Sequence, residues 1–393
     1  MHYLDWLRVA AILGVFLYHA VHPFDLTGWH VKNAEQSDFI TALLLMVSPW
    51  GMPFFFMIAG TGTWFALRKR TAVQYIGERF RRLLVPFIAG CLLLTPVMLY
   101  FEWMHNTQTN LWTLSFGEYV ASRQIPISCQ FFGWAGLHLW FLGFLFSYSL
   151  VALPLFLWLR GTTGKRALDW AAQLSERRGG ILLVILPLLL IQLVFRPFFS
   201  TGEHNWADFF YMLGFFVMGY VLYSDERFAR AIHRDWRLLF VIGVLTTLIG
   251  VGAIAYSRGM EWIENPALPQ FYLMYTLIVV NGWCWTAFLL YGGMRFLNYT
   301  NRWLRYGQDA ILPFFVFHQP VIIVIAFFVV QWEADILPKL LVVVPTSFVV
   351  TLAIYEGIVR RSRRLQALFG MKVQHLPISS SGDADVQKPA HAR

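Results

Sequence analysis

The chain has 393 residues, of which 58% are hydrophobic, 18% aromatic and only 13% charged, and its formal net charge at pH 7 is +9. A soluble globular domain carries about 25% charged residues, so this composition excludes an ordinary soluble fold and indicates a multi-pass membrane protein. The basic excess could also indicate nucleic-acid binding, but its distribution along the chain favours membrane topology, so no nucleic-acid partner is expected.

Apolar runs of near-spanning length recur along the whole chain. The first begins almost at Met1 and has no small-residue cleavage site, so we expect it to stay as a membrane helix rather than to be removed as a signal peptide. The second is long and is interrupted by Pro49, Gly51 and Pro53. The predicted fold is an all-α bundle of about ten transmembrane helices, placed near residues 6–24, 40–66, 83–104, 136–159, 180–197, 207–223, 237–256, 270–291, 310–331 and 336–358.

The basic residues alternate between the two sides of this bundle. If the N-terminus is cytoplasmic, 26 of the 31 Lys and Arg residues fall on the cytoplasmic side. The positive-inside rule therefore predicts that both termini are cytoplasmic. Ten spans preserve the alternation, whereas nine or eleven would destroy it. Residues 1–365 are predicted to form the transmembrane domain, and residues 366–393 a polar, disordered cytoplasmic tail.

Two ionisable residues, Arg8 and His19, lie on the first predicted helix. Their spacing of eleven residues is close to three turns, so they share one face, about 16 Å apart along the axis. Such residues are costly in a membrane and point to function. Asp5 is placed to pair with Arg8, and histidine suits acid–base catalysis near neutral pH. The alternatives are a snorkelling anchor for Arg8 and an interhelical hydrogen bond for His19. One turn further, His22 is an interfacial or acceptor-side group.

The third helix begins with the basic sequence RFRRLLVPF. Arg79 and Arg82 are spaced i,i+3 on one face, and guanidinium groups suit bidentate contact with phosphate. With help from Arg81, they could hold a phosphate-rich cytoplasmic donor such as a coenzyme A thioester. The alternative is a cluster of positive-inside charge that attracts anionic lipid.

Further polar residues lie near the fourth and ninth spans. In HLWFL, His138 and Trp140 could contact a sugar or could be ordinary interface residues. In PFFVFHQP, His318 and Gln319 need partners inside the bundle, and interhelical hydrogen bonds are the alternative to a functional role. Glu102 is interpreted as interfacial. The chain has no phosphate-binding loop, nucleophile elbow or zinc-ligand spacing, so no metal site is predicted.

In their order along the chain, these motifs resemble the membrane-bound acyltransferase 3 family. The family's signature of an Arg, ten residues and a His in the first helix is matched by Arg8 and His19. The segments LDWLR, PFFFMIAG and RFRRLLVPF are also similar to that family. Within it, WHVKNAE (29–35), HLWFL and FHQP look similar to the glucan biosynthesis protein C group, whose members are associated with succinylation of periplasmic glucans. A His-His-Pro-like run is expected where this chain has FHQP.

The resemblance implies an inner-membrane enzyme that moves an acyl group, succinyl or acetyl, from cytoplasmic acyl-CoA to a hydroxyl of an extracytoplasmic carbohydrate. It implies no permanently bound cofactor. The implied partners are succinyl-CoA or acetyl-CoA as donor, the carbohydrate acceptor and the bilayer. A homodimer and glycan-assembly partners remain open alternatives. Two alternatives remain, a glycan or lipid transporter or flippase and a non-catalytic scaffold. The implied roles are catalysis for His19, Arg8 and Asp5; donor binding for Arg79, Arg81 and Arg82; and acceptor binding for His22, His138, Trp140, His318 and Gln319.

Overall fold

A computed structural model describes residues 2–107, 115–122, 137–200, 204–256 and 261–371, and within these ranges all regular structure is helical. Short helices cover Phe116–Ser122, Thr162–Ser175, Glu261–Glu264 and Arg363–Leu368. The apolar helical elements, numbered in chain order, are α1 (His2–Phe24), α2 (Asp38–Lys69), α3 (Ala72–Thr107), α4 (Leu137–Val151 with Leu153–Leu159), α5 (Gly180–Phe198), α6 (Trp206–Leu222), α7 (Glu226–Tyr256), α8 (Pro269–Phe296), α9 (Arg302–Val329) and α10 (Ile336–Val359).

Every predicted span coincides with one of these elements. Eight helices in the described ranges are long and apolar enough to cross a membrane, and the two halves of α4, bent by 46°, make a ninth span if they are taken together. The remaining element, α6, has 17 residues, fewer than the roughly 20 that a perpendicular crossing needs. The all-α, multi-pass membrane class is therefore confirmed, while the count of ten and the cytoplasmic termini stay predictions.

The second helix is continuous, so the predicted interruption at Pro49, Gly51 and Pro53 is wrong. Both prolines lie inside one helix that runs from Asp38 to Lys69. A proline has no N–H, so the carbonyl four residues earlier loses its helical donor. In α2 the hydroxyl of Ser48 donates to the Leu45 carbonyl at 3.3 Å. This side-chain bond replaces the one that is lost at the first proline.

Helices α2 and α6 touch backbone to backbone. A Cβ atom on Gly60 would stand 1.9 Å from the carbonyl oxygen of Phe216, and one on Gly219 would stand 2.0 Å from that of Met57. Only glycine fits at both positions, because any side chain would overlap the facing backbone. Small residues drive helix association in membranes through this kind of close packing. The contact fixes α2, which also packs against α1.

Aromatic packing sets the rotation of α1 toward α9 and α10. The ring of Phe16 lies 5.5 Å from that of Phe314 on α9 and 5.8 Å from that of Phe348 on α10. Residues three or four apart on a helix share a face. His19 follows Phe16 by three residues and His318 follows Phe314 by four, so the same packing brings the two histidines together.

The last described residues fold back onto the bundle. Helix Arg363–Leu368 is followed by Phe369, which is buried and whose ring lies 4.7 Å from that of Phe317. This segment crosses the domain boundary predicted at residue 365. Residues 372–393 lie outside the described ranges, so the predicted disordered tail stays a prediction.

Candidate functional site

Arginine and histidine side chains, most of them singled out from the sequence, lie in two groups at different depths of the bundle. Along α1, Arg8 and His19 are separated by about 16 Å of helix axis. The first group, which we call the arginine end, consists of Arg8, Arg79 and Arg82. The second, which we call the histidine end, consists of His19, His22, His30, His138 and His318.

A histidine pair forms the centre of the histidine end. His19 Nδ1 lies 2.9 Å from His318 Nε2, and His318 Nδ1 lies 2.7 Å from the carbonyl oxygen of Phe315. A carbonyl only accepts, so His318 Nδ1 carries a proton and, in the neutral ring, Nε2 has a lone pair. His19 Nδ1–H therefore donates to it, which leaves the lone pair of His19 on Nε2. The fixed tautomer makes His19 Nε2 available as a base or nucleophile.

His138 borders the same pair. Its ring lies 5.3 Å from that of His318 in an edge-to-face arrangement, and its Nε2–H donates to the Val316 carbonyl at 3.0 Å. The remaining atom, His138 Nδ1, is a buried acceptor with no hydrogen-bond partner in the described ranges. Trp140, predicted to line the acceptor side with His138, packs its ring on Phe56 and His204. Among the described ring contacts of Trp140, none is with the histidine end.

His22 connects His19 to a salt-bridged loop. Its ring lies 6.4 Å from that of His19 with an angle of 24° between the planes. His22 Nδ1 also lies 3.0 Å from Asp25 Oδ2, and Lys32 Nζ lies 2.5 Å from Asp25 Oδ1. Burial raises the pKa of Asp25, but hydrogen bonds from His22 and Lys32 outweigh it, so the net pKa lies below its ordinary value. The pairing explains why Asp25 can be fully buried.

The structure adds two residues that the sequence-based prediction of the site left out. His30 Nδ1 lies 2.6 Å from Glu102 Oε2, and Gln319 Nε2 lies 3.2 Å from His30 Nε2. Glu102, interpreted as interfacial, is therefore part of a hydrogen-bonded chain that reaches α9. The available signal was His30 itself, which lies within the WHVKNAE segment that carries the resemblance.

At the arginine end, Arg8 is held between α1 and α2. Its Nη1 lies 2.9 Å from Asp5 Oδ1, which confirms the predicted pair. Its Nη2 lies 2.8 Å from the position that a Cβ on Gly62 would occupy, so a larger residue there would displace the guanidinium. Arg79 and Arg82 lie near enough to act on the charge of Arg8. The fold thus brings these three arginines together, while their roles stay predictions.

The three arginines of α3 have different surroundings. Arg79 lies over the ring of Tyr75, 4.8 Å from its centroid, and its Nε is buried without a partner in the described ranges. Arg82 Nη1 lies 3.6 Å from Glu78 Oε1. Arg81 is exposed, and within the described ranges it donates to a carbonyl of its own helix. The cluster therefore keeps unbalanced positive charge, as an anion-binding site requires.

A π-helical turn, Phe80–Leu84, carries two of these arginine positions. Such turns insert an extra residue into a helix and occur frequently at functional sites. Pro86 follows two residues later, and its missing N–H leaves a carbonyl on the preceding turn without a helical donor. The turn thus changes the rotation of the helix between Arg79 and Arg82.

Comparison with known proteins gives a consistent result. The family model described as "Acyltransferase domain", of the acyltransferase 3 family, matches residues 1–356. Curated relatives named "Glucans biosynthesis protein C" from Salmonella paratyphi A, Salmonella agona (strain SL483) and Salmonella dublin are each 23% identical over 335 residues, covering 81% of this chain and 82% of theirs. No solved structure matches this chain.

Proposed function

Because the chain belongs to the acyltransferase 3 family, we propose that it moves an acyl group, succinyl or acetyl, from acyl-CoA to a hydroxyl of a carbohydrate. The relatives are named for glucan biosynthesis, which favours a glucan or another cell-envelope glycan as the acceptor. We place the arginine end and both termini on the cytoplasmic side of the inner membrane. The donor then enters at the arginine end and the acceptor at the histidine end.

The arginine end supports a phosphate-rich donor. Arg8, Arg79 and Arg82 face two carboxylates, Asp5 and Glu78, so the cluster has positive charge left for an anion. Guanidinium groups bind phosphate oxygens in a bidentate manner. With the coenzyme A phosphates held there, the pantetheine arm has to extend about 16 Å along α1 to bring its thioester to His19.

The fixed tautomer of His19 is the observation that carries the proposed chemistry. His19 Nε2 removes the proton from an acceptor hydroxyl while the hydroxyl oxygen attacks the thioester carbonyl. The carbon–sulfur bond breaks, the ester forms, and the proton passes from His19 to the coenzyme A thiolate, which leaves as the free thiol. His318 accepts from His19 Nδ1–H throughout and so orients the ring and stabilises the imidazolium.

A covalent variant uses the same atom. His19 Nε2 attacks the thioester carbonyl, the carbon–sulfur bond breaks, and coenzyme A leaves as the thiolate, which takes a proton from water. The acyl-histidine then passes its acyl group to the acceptor hydroxyl, whose proton is released to water as the nitrogen–carbon bond breaks and the imidazole is regenerated. The two variants differ in one measurable respect. The covalent route releases one equivalent of coenzyme A thiol per enzyme before any acceptor is added, whereas direct transfer releases thiol only with acceptor or water.

The polar atoms around His19 favour a hydroxyl-rich acceptor. His138 Nδ1 and Gln319 Oε1 are buried acceptors with no partner in the described ranges. An unpaired buried acceptor costs about 1–3 kcal/mol, which a hydrogen-bond donor from the substrate would recover. A carbohydrate supplies such donors from several hydroxyls at once.

Transfer in reconstituted proteoliposomes tests the proposal. Wild-type protein given isotope-labelled succinyl-CoA or acetyl-CoA should increase the mass of a gluco-oligosaccharide by the corresponding acyl group. A transporter would leave the product mass unchanged, and a scaffold would give neither transfer nor stabilisation by coenzyme A. General-base catalysis is worth about 10²–10⁴-fold, so His19→Ala should lose that factor. His233→Ala, whose histidine packs on Tyr291 elsewhere, is the matched control and should stay active.

The donor side has its own matched set of variants on one helix. Arg79→Gln and Arg82→Gln should each raise the KM for acyl-CoA, because each removes a charge that faces Arg8. A charge-assisted hydrogen bond contributes about 1.5–3 kcal/mol, so the expected increase is about 10-fold to 150-fold. Arg81→Gln, an exposed neighbour, should change the KM less than about threefold. Equal effects of all three would contradict a directed donor site and favour a general charge effect.

A further inference from the structure

A chain of hydrogen bonds runs from Glu102 through His30 to Gln319. The donors and acceptors along it fix the orientation of the Gln319 amide near His19. We propose that the Glu102–His30 pair orients the Gln319 amide so that its Oε1 accepts a hydrogen bond from a second hydroxyl of the acceptor, one that is not acylated. This assigns Gln319 as a specificity residue and Glu102 and His30 as positioning residues. The proposal rests on the acyl-transfer function proposed above.

The direction follows from what each group can donate. The ionised Glu102 carboxylate only accepts, so the 2.6 Å contact with His30 places a proton on His30 Nδ1. In the neutral imidazole the other nitrogen, His30 Nε2, is then an acceptor. The 3.2 Å contact from Gln319 to that nitrogen must therefore come from the amide NH₂ group. The amide cannot reverse without placing its oxygen against the lone pair of His30.

This orientation of the amide fixes the position of one acceptor atom, Gln319 Oε1. With its NH₂ group held by His30, Gln319 presents Oε1, which is buried and has no hydrogen-bond donor in the described part of the chain. The residue is itself only 3% exposed. Buried polar atoms in folded proteins nearly always have a partner, so the unpaired Oε1 atom points to a ligand that donates a hydrogen bond.

The position of Gln319 connects this acceptor to the reacting centre. It follows His318 directly in α9, and His318 Nε2 lies 2.9 Å from His19 Nδ1. On its other side Gln319 contacts His30, which also lies near enough to act on the charge of His19. Two neighbours of Gln319 thus belong to the histidine end. We therefore assign the hydroxyl bound at Oε1 to the same sugar as the hydroxyl that reacts at His19.

The test compares substrates lacking one hydroxyl with variants lacking the acceptor atom. The probes are methyl β-D-glucoside and its 2-, 3-, 4- and 6-deoxy derivatives, with a linear gluco-oligosaccharide as the reference acceptor. One deoxy probe keeps the acylated hydroxyl but lacks the hydroxyl that binds Gln319. In the wild type its KM should be at least about tenfold higher than that of the parent glucoside, because the missing hydroxyl leaves the buried Oε1 acceptor unpaired. In Gln319→Met that same probe and the parent should differ less than twofold.

Two further variants distinguish positioning from simple packing. Glu102→Ala removes the group that fixes His30, so it should lose part of the KM difference between the parent glucoside and the deoxy probe. The double variant Glu102→Ala with Gln319→Met should show the same KM difference as Gln319→Met alone. Gln331→Met, two residues beyond the end of α9 and bonded to the Phe327 carbonyl, and Glu118→Ala, whose side chain accepts from Ser115 within the described ranges, are the matched controls. Both should retain wild-type discrimination.

The outcomes separate this inference from the proposed function. Wild-type discrimination in Gln319→Met, or additive effects of the two substitutions, would overturn the inference while leaving acyl transfer intact. If Gln319→Met fails to insert into the membrane, a wild-type KM difference between the parent and deoxy probes in Glu102→Ala would overturn the inference equally. Wild-type protein that transfers no acyl group to any probe, the reference included, would instead overturn the proposed function. Hydrolysis of acyl-CoA by water, which has no second hydroxyl, should stay within twofold of wild type in the two control variants, Gln331→Met and Glu118→Ala.

Discussion

Replacing His318 tests the proposed role of the histidine pair most directly. His318→Leu removes the acceptor of the His19 Nδ1–H bond and keeps a side chain that fills the buried position. Without that acceptor, His19 can place its proton on Nε2, the atom that we assign to the acceptor hydroxyl. The substitution therefore lowers the fraction of His19 in the reactive tautomer and removes a partner of the imidazolium.

The expected loss can be worked from the geometry. The N···N distance of 2.9 Å is that of a normal hydrogen bond, and when His19 becomes protonated the bond turns into a charge-assisted one. Such bonds contribute about 1.5–3 kcal/mol. At about 1.36 kcal/mol per factor of ten, kcat should fall about 10-fold to 150-fold. His19→Ala, which removes the base itself, should cost more, about 10²–10⁴-fold.

The assay is single-turnover acyl transfer with saturating acyl-CoA. His318→Gln is the conservative variant, since its amide oxygen can accept from His19 Nδ1–H, and it should recover part of the lost rate. His233→Leu is a matched control for loss of a histidine. In the His19→Ala background, His318→Leu should cause little further loss, because the two residues act as a unit. A full additional loss in that background, or an unchanged rate in His318→Leu alone, would refute the reasoning.

Three further predictions concern the support of the two ends. Tyr75→Leu should raise the KM for acyl-CoA about 2-fold to 30-fold through loss of the ring beneath Arg79, whereas Tyr75→Phe, which keeps the ring, should change it less than twofold. Gly60→Ala should destabilise the protein by about 1–3 kcal/mol, seen as a lower Tm, whereas Gly250→Ala, with open space at the Cβ position, should not; equal Tm values would contradict the α2–α6 contact. The pKa of Asp25 is lowered in the folded state, so the stability that its ionised form contributes is present above the unfolded pKa near 4 and is lost as pH falls through the folded pKa. Between pH 6 and pH 3 the Tm should therefore fall less in Asp25→Asn than in wild type.

Local features of the chain were predictable because hydropathy and helical periodicity act over a few residues. The Asp5–Arg8 pair needs one turn of one helix, and the structure has it at 2.9 Å. Arg79 and Arg82, selected by their spacing, both lie near enough to act on the charge of Arg8, while Arg81 is exposed. In contrast, the interruption predicted in α2 was wrong, because the bundle tolerates prolines inside a continuous helix.

Long-range features depended on packing that no local pattern encodes. His19 and His318 are 299 positions apart, and their hydrogen bond depends on the rings of Phe16 and Phe314. The ring of Trp140 packs on Phe56 and His204, which come from distant parts of the chain, while its role on the acceptor side stays a prediction.

By itself, then, the sequence determined a multi-pass helical membrane protein, the positions of its helices, and one helix that carries Arg8 and His19 about 16 Å apart. Each of these follows from interactions between near neighbours in the chain. Only the tertiary structure decided the tautomer of His19, since that depends on a carbonyl of α9 acting through His318. The directed chain from Glu102 to Gln319 was likewise decided only there, because a hydrogen bond acquires its direction from partners that the fold brings together.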